Sequence, residues 1–373
     1  MSGEYGLKKH FTGETAFILG EGIRTALPGF DTAGYAVEVD RRVPDLELKD
    51  RVLVLCEGLR SRLPDSYPKA LDILRGTLVE ELSEGRGMFK TSWFLMPVAR
   101  YVEEYGLDHP EESLDFLEEV TRCHTAEYAV RPFVTHHREI TMARFARWAV
   151  DPGHNVRRLA SEGIRPRLPW AGTLPFFVEA PSPVLEILEH LRADPSNYVR
   201  TSVANNLNDI SKDHPDLALA TARRWLRESP VPETRWIVKH ALRTLVKKGD
   251  QEALALLGNT GGEHIGVHDL TVRPAAIRLG DTVTLRFAVE NTDTRPHRVT
   301  VDYVVHHVRE NRRPIPKVFK LTELELAPGE TRHLEKAHTI RPISTRRYHP
   351  GEHPVEIQVN GLPLARDGFE LLP

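Results

Sequence analysis

The 373-residue chain is 40% hydrophobic and 28% charged, with a formal net charge of −3. That length allows two or three domains with separate cores, and the composition is that of an ordinary water-soluble protein. Two cysteines, Cys56 and Cys123, are too few for a disulfide framework and fit a reducing, cytoplasmic setting. No run of about 18 apolar residues could span a membrane, and no basic segment followed by an apolar core marks a secretory signal.

The small net charge hides an asymmetry. Residues 1–120 hold 14 Lys and Arg against 23 Asp and Glu, whereas residues 121–258 hold 20 against 15. A basic excess confined to one stretch suits a polyanion-binding surface, and it equally suits a solvated repeat surface.

Residues 14–258 read as helical. Apolar residues recur at helical spacing in Tyr67, Ala70, Leu71 and Leu74, and again in Leu114, Leu117 and Val120. Loops with proline fall at residues 63–65 and 107–110. Asp213-His214-Pro215 reads as a capping acid ahead of a first-turn proline. A last helix over residues 235–248 ends in Lys247-Lys248-Gly249, where cations suit the helix end and glycine suits a left-handed cap.

Within this half, Asp151-Pro152-Gly153-His154-Asn155-Val156-Arg157 recurs 43 positions later as Asp194-Pro195-Ser196-Asn197-Tyr198-Val199-Arg200. That period is typical of HEAT-like helical repeats, in which each helix pair needs its neighbours to bury its apolar face. The expected architecture is a mostly α chain. A HEAT-like helical-repeat solenoid occupies residues 1–258, and a small all-β immunoglobulin-like sandwich occupies residues 259–373.

The sandwich follows from a change of period. After a linker at Asn259-Thr260-Gly261-Gly262, alternation takes over in Val283/Leu285/Phe287/Val289, Val299/Val301/Tyr303/Val305 and Val355/Ile357/Val359. Turn sequences at 290–293, 327–330 and Asn360-Gly361 separate about seven strands.

Taking about 100° per residue, Val199, Val203, Leu207 and Ile210 share an inward face. Thr201, Asn205, Asn208, Asp209 and Lys212 share a polar one, and Arg158, Glu162 and Arg165 occupy the equivalent face of the first copy. Stacked repeats would align these stripes, each with one carboxylate among donors. The run Asn205-Asn206-Leu207-Asn208-Asp209 is poor helix material, so it serves either a ligand or a side-chain tether. Glu162 is likewise either a site residue or the partner of Arg158 or Arg165 at helical spacing. Trp148 and Trp225 sit in apolar patterns and read as core. Trp170 closes the loop Arg165-Pro166-Arg167-Leu168-Pro169-Trp170, where it could stack on a base or plug the repeat. Trp236, ahead of Lys239, His240 and Arg243, is a second surface candidate. His136-His137 lacks a further ligand pair, and no phosphate-cradling glycine loop is present, so neither a metal nor a cofactor is expected.

With these residues in view, the chain resembles the AlkC-type bacterial DNA alkylation repair glycosylases. The likeness runs through residues 123–133 (CHTAEYAVRPF), 156–163 (VRRLASEG), 165–170 (RPRLPW) and 208–215 (NDISKDHP). It continues in the sandwich at 316–320 (PKVFK) and 345–351 (TRRYHPG). It implies a HEAT-like-repeat 3-methyladenine DNA glycosylase, a hydrolase of base excision repair. Such an enzyme acts as a monomer on double-stranded alkylated DNA at the nucleoid. The resemblance further implies that Glu127, Glu162 and Asp209 surround the lesion with Trp170 beside them; Glu127 enters only on this ground. Arg157, Arg158, Arg165, Arg200, Lys212, Lys239 and Arg243 are the expected phosphate contacts, with Arg346 and Arg347 gripping DNA from the sandwich. On this reading, deleting residues 259–373 lowers affinity for DNA in a binding titration; an unchanged affinity would make the sandwich a passenger.

Overall fold

Proline sets the first turn of helix after helix, where its missing N–H costs nothing. The computed structural model describes residues 3–83, 91–310, 314–343 and 347–373. It divides into two compact units, Met1–Ala241 and Leu242–Pro373.

In the first unit the helices are α1 (Gly3–Lys8), α2 (Gly13–Arg24), α3 (Thr32–Arg42), α4 (Leu48–Arg60) and α5 (Tyr67–Leu74). After a short 3-10 turn at Trp93–Leu95 come α6 (Met96–Tyr105), α7 (Pro110–Cys123), α8 (Arg131–His136), α9 (Arg138–Trp148) and α10 (His154–Glu162). The unit closes with α11 (Pro175–Glu179), α12 (Ser182–Leu191), α13 (Asn197–Ile210), α14 (Pro215–Glu228) and α15 (Pro232–Ala241). The predicted inward face of α13 is observed: Val199, Val203, Leu207 and Ile210 are buried, with α10 and α15 packed against this helix. Trp148 and Trp225 are fully buried, and their indole N–H groups donate to Glu118 at 2.7 Å and Glu189 at 2.8 Å. Each large ring thus reaches the core with its one polar atom satisfied.

The 43-residue repeat has a structural explanation. The turn acid of each copy accepts a backbone N–H two residues on, Gly153 to Asp151 at 2.7 Å and Ser196 to Asp194 at 2.8 Å. The arginine of each copy reaches back to the turn carbonyls. Arg157 Nη1 donates to Asp151 and Pro152, and Arg200 Nη1 to Asp194 and Pro195. An arginine from the preceding repeat then clamps the turn acid: Arg122 holds Asp151 at 3.0 Å, and Arg157 holds Asp194 at 2.6 Å. One motif both closes a turn and welds it to its neighbour.

Two local expectations are corrected. Asp213 does not cap α14; its carboxylate takes both Arg167 Nε and Nη2, at 2.9 and 2.8 Å, because a guanidinium outcompetes a single backbone N–H. The helix read over 235–248 is two pieces, α15 and α16 (Arg243–Lys247). Gly249 does adopt the left-handed conformation expected of it (φ 76°).

Among the described residues of the second unit, α16 and α17 (Gln251–Leu256) precede eight strands. These are β1 (Ile265–Arg273), β2 (Ala276–Ile277), β3 (Thr282–Asn291), β4 (His297–His307), β5 (Ile315–Leu326), β6 (Thr331–Thr339), β7 (Gly351–Val359) and β8 (Leu362–Leu371). Sheets ordered β1-β3-β6 and β2-β8-β7-β4-β5 enclose the alternating residues read from sequence, Val283, Leu285, Phe287, Val301, Tyr303 and Ile357 among them. The strand added to the expected seven is β2, a two-residue parallel pairing with β8. The stretch read as a linker is stitched in. Thr260 N–H donates to Arg298 at 3.0 Å, Asn360 Nδ2 donates to the Thr260 carbonyl at 3.2 Å, and Asn259 is buried. Gly361 packs so tightly on Gly249 that a β-carbon on it would lie 2.0 Å from the Gly249 Cα. Among the described residues, no helix is long and apolar enough to cross a membrane.

The Arg157–Asp194 pair is nearly buried, and breaking such a pair strands a charge at a cost of about 3–5 kcal/mol. Arg157→Ala is therefore expected to lower unfolding stability by that order in urea titrations. A loss below about 1 kcal/mol would show that the weld contributes little.

Candidate active site

Glu127, Glu162 and Asp209 come from three separate segments: the turn after α7, the last position of α10, and the penultimate position of α13. Two arginines string them together. Arg158 donates to Glu127 at 3.0 Å and lies 3.6 Å from Glu162. Arg165 donates to Glu162 at 2.8 Å and through Nε to Asp209 at 2.9 Å. Lys212 closes the far end on the other Asp209 oxygen at 2.7 Å. The network alternates in sign from Glu127 to Lys212, so each buried carboxylate touches at least one cation.

The acids are far less open than a polar surface stripe would be. Asp209 is 1% exposed and Glu127 and Glu162 are 6% exposed, which corrects the expectation that α13 shows its polar residues to solvent. The cause lies in the loop after α10, whose Arg165 inserts over the stripe. Of the two readings left open for Glu162, the ion pair is observed: it lies against both Arg158 and Arg165. The asparagine run is also explained in part. Asn206 Nδ2 donates to the Ser161 carbonyl at 2.7 Å, a tether to α10 and not to the next turn.

Residues that the sequence did not single out hold Glu162 in place. Ser202 Oγ donates to Glu162 Oε2 at 2.6 Å, and Ser161 Oγ donates to Ser202 at 2.5 Å. Thr125 Oγ1 accepts from Arg158 at 2.8 Å, and the Arg158 guanidinium lies 4.9 Å from the Tyr198 ring centroid. Small hydroxyls at helix contacts leave no periodic signal, so nothing in the pattern announced them. Burial raises the Glu162 pKa, but Arg158, Arg165 and the Ser202 hydroxyl outweigh it and the net shift is downward. Arg158 is held charged by Glu127 and Glu162 against its own burial.

Trp170 is 52% exposed and sits at φ 65°, a left-handed backbone that a bulky residue adopts only when its surroundings impose it. Here they do. Lys49 Nζ donates to the Trp170 carbonyl at 2.5 Å, and Arg131 donates to the carbonyls of Gly163, Arg165 and Gly172. The loop is pinned from both sides while the indole stays outside.

The remaining residues expected at the site are placed as follows. Arg157 and Arg200 hold the repeat turns. Trp236 is 37% exposed, stacked on His240 and with the Arg200 guanidinium 5.8 Å from its centroid. Lys239 is exposed on α15. Arg243 and the exposed Arg347 belong to the second unit, and Arg346 lies outside the described residues.

Against known proteins, residues 266–373 match the family described as "Uncharacterised protein YhaZ, C-terminal Ig-like domain". The chain is 42% identical to the uncharacterized protein YhaZ of Bacillus subtilis (strain 168), over 85% of each chain. It superposes on the Pseudomonas fluorescens alkylpurine DNA glycosylase AlkC, bound to DNA containing an abasic site analog, with a TM-score of 0.90. The identity there is 37%, covering 98% of this chain and 99% of that one. The chain belongs to the AlkC family.

The depressed Glu162 pKa makes a signed prediction. Its ionic contribution to stability is complete above the unfolded-state value of about 4.3 and is lost as pH falls through the lower folded value. The stability difference between the wild type and Glu162→Gln should be flat above about pH 5 and shrink below about pH 4.3. A difference that widens on acidification would contradict the assigned direction.

Proposed function

We propose that this protein is a DNA glycosylase that hydrolyses the N-glycosidic bond of cationic, N3-alkylated bases, 3-methyladenine foremost, in double-stranded DNA. The observation that carries this reading is the single network joining Glu127, Glu162 and Asp209 through Arg158 and Arg165. A chain-long likeness to an alkylpurine DNA glycosylase supports it.

A base alkylated at N3 already carries positive charge, so its bond to C1′ is weakened and it departs with the bonding electron pair as a neutral molecule. What the protein must supply is stabilisation of the positive charge that grows on the deoxyribose, and a water aimed at C1′. Fixed carboxylates serve both needs. In this reading Asp209 orients the water and takes its proton, while Glu162 and Glu127 face the cationic sugar and base. The lesion competes for these carboxylates with cations already bound to them. Lys212 is the readiest to yield, because its side chain is 40% exposed and its flexible stem can carry the ammonium to a phosphate. Arg165 and Arg158 stay to hold the acids in register. In this reading Lys212, Lys239, Arg243 and Arg347 contact phosphates, while Arg157 and Arg200 hold the repeat turns. Trp170 and Trp236 offer aromatic faces to sugar or base. The enzyme works on DNA as a monomer, in the cytoplasm at the nucleoid.

Incubation of purified protein with methylated DNA tests the reading by scoring free base and abasic sites. Release of 3-methyladenine is expected; binding without release would leave a lesion sensor, and neither would leave a scaffold. Removing one well-placed electrostatic group costs about 10²–10³ in rate, so Asp209→Asn should be slowed by that factor in single-turnover assays. Near-normal release by that variant would take Asp209 out of the reaction.

A further inference from the structure

The three acids of the network are not held in the same way. Both oxygens of Asp209 rest on cations, Arg165 at 2.9 Å and Lys212 at 2.7 Å. Both oxygens of Glu127 face Arg158, at 3.0 and 3.4 Å. Glu162 differs. Arg165 at 2.8 Å and Arg158 at 3.6 Å approach its Oε1, whereas its Oε2 takes the Ser202 hydroxyl at 2.6 Å. A cation that fixes a carboxylate oxygen also offsets its charge. A neutral hydroxyl fixes the oxygen and leaves the charge in place.

Ser202 stands on α13 about two turns before Asp209. It is 2% exposed, and Ser161 beside it on α10 is fully buried. An ionised carboxylate can only accept, so the single hydroxyl hydrogen of Ser202 is committed to Glu162. The 2.5 Å contact between the two serine hydroxyls then takes the hydrogen of Ser161, which also lies 3.0 Å from the Arg158 carbonyl. One turn further along α13, Asn206 holds the Ser161 carbonyl at 2.7 Å. These contacts form a polar seam between α10 and α13. The helix that carries Asp209 thereby aims Glu162 as well.

We infer that Ser202 is a positioning residue for base release: it sets Glu162 Oε2 in register with Asp209 without neutralising it, and Ser161 orients Ser202 in turn. The inference rests on the glycosylase reading and gives the seam a part in that reaction. Ser202 acts through Glu162 and not on the lesion. It is also among the groups that hold the Glu162 pKa down.

Single-turnover release of 3-methyladenine from methylated DNA, with the full-length protein in excess, tests this. Ser202→Ala should slow release about tenfold, the scale of one hydrogen bond to a charged group. Its dissociation constant for the same DNA should stay within about twofold of wild type, because the lost contact is to an acid and not to a phosphate. Ser161→Ala keeps the bond to Glu162 and removes what orients it, so a smaller loss of about threefold is expected. Should Ser202→Ala fail to fold in urea titrations, Ser161→Ala carries the test. The decisive measurement is the double variant: in a Glu162→Gln background, Ser202→Ala should change the rate by less than about twofold, since the two residues act as one unit. Release at the wild-type rate in both serine variants, a slowing matched by an equal loss of DNA affinity, or an undiminished loss in the Glu162→Gln background would overturn the inference. Release by wild type with unimpaired serine variants removes this assignment alone, whereas absence of release by wild type bears on the glycosylase reading.

Discussion

Arg165 is the constraint on which the site depends. It is buried itself, and it spans two acids that the chain supplies from α10 and α13, Glu162 at 2.8 Å and Asp209 at 2.9 Å. Burying a carboxylate is costly unless a cation touches it, and Arg165 touches both. The guanidinium has the planar, multi-donor shape that lets one side chain serve both. Its backbone is fixed in turn by Arg131, so the geometry of the acids is set two layers away from them.

The repeat provides the distances that make this bridge possible. Turn acids and arginines at 43-residue spacing weld each helix pair to the next, and α10 and α13 consequently present Glu162 and Asp209 at a fixed separation. Burial inside the stack keeps the carboxylates dry, which strengthens their interaction with any positive charge brought against them.

Much of this was legible in the sequence, and the part that was not has a common cause. The helical period, the inward face of α13 and the alternating strands depend on local apolar spacing, which the chain displays directly. The acids were legible as repeat-related polar positions, and Glu127 through family likeness. Their burial was not, because α10 stops at Glu162 and Arg165, read at helical spacing from it, stands instead in a loop whose backbone is held by Arg131 on another helix. The repeat arginines Arg157 and Arg200 stood out for their recurrence, yet recurrence marks a turn-closing residue as readily as a ligand contact. Ser161 and Ser202 gave no signal, since a hydroxyl at a helix contact looks like any small residue.

The two arginines around Glu162 have a consequence for fidelity. A carboxylate kept charged in this way has no hydrogen to lend, and an undamaged purine would need one before it could depart. Under the proposed reaction, intact genomic DNA is then spared without being read: only a nucleoside that arrives with its own positive charge can be cut loose.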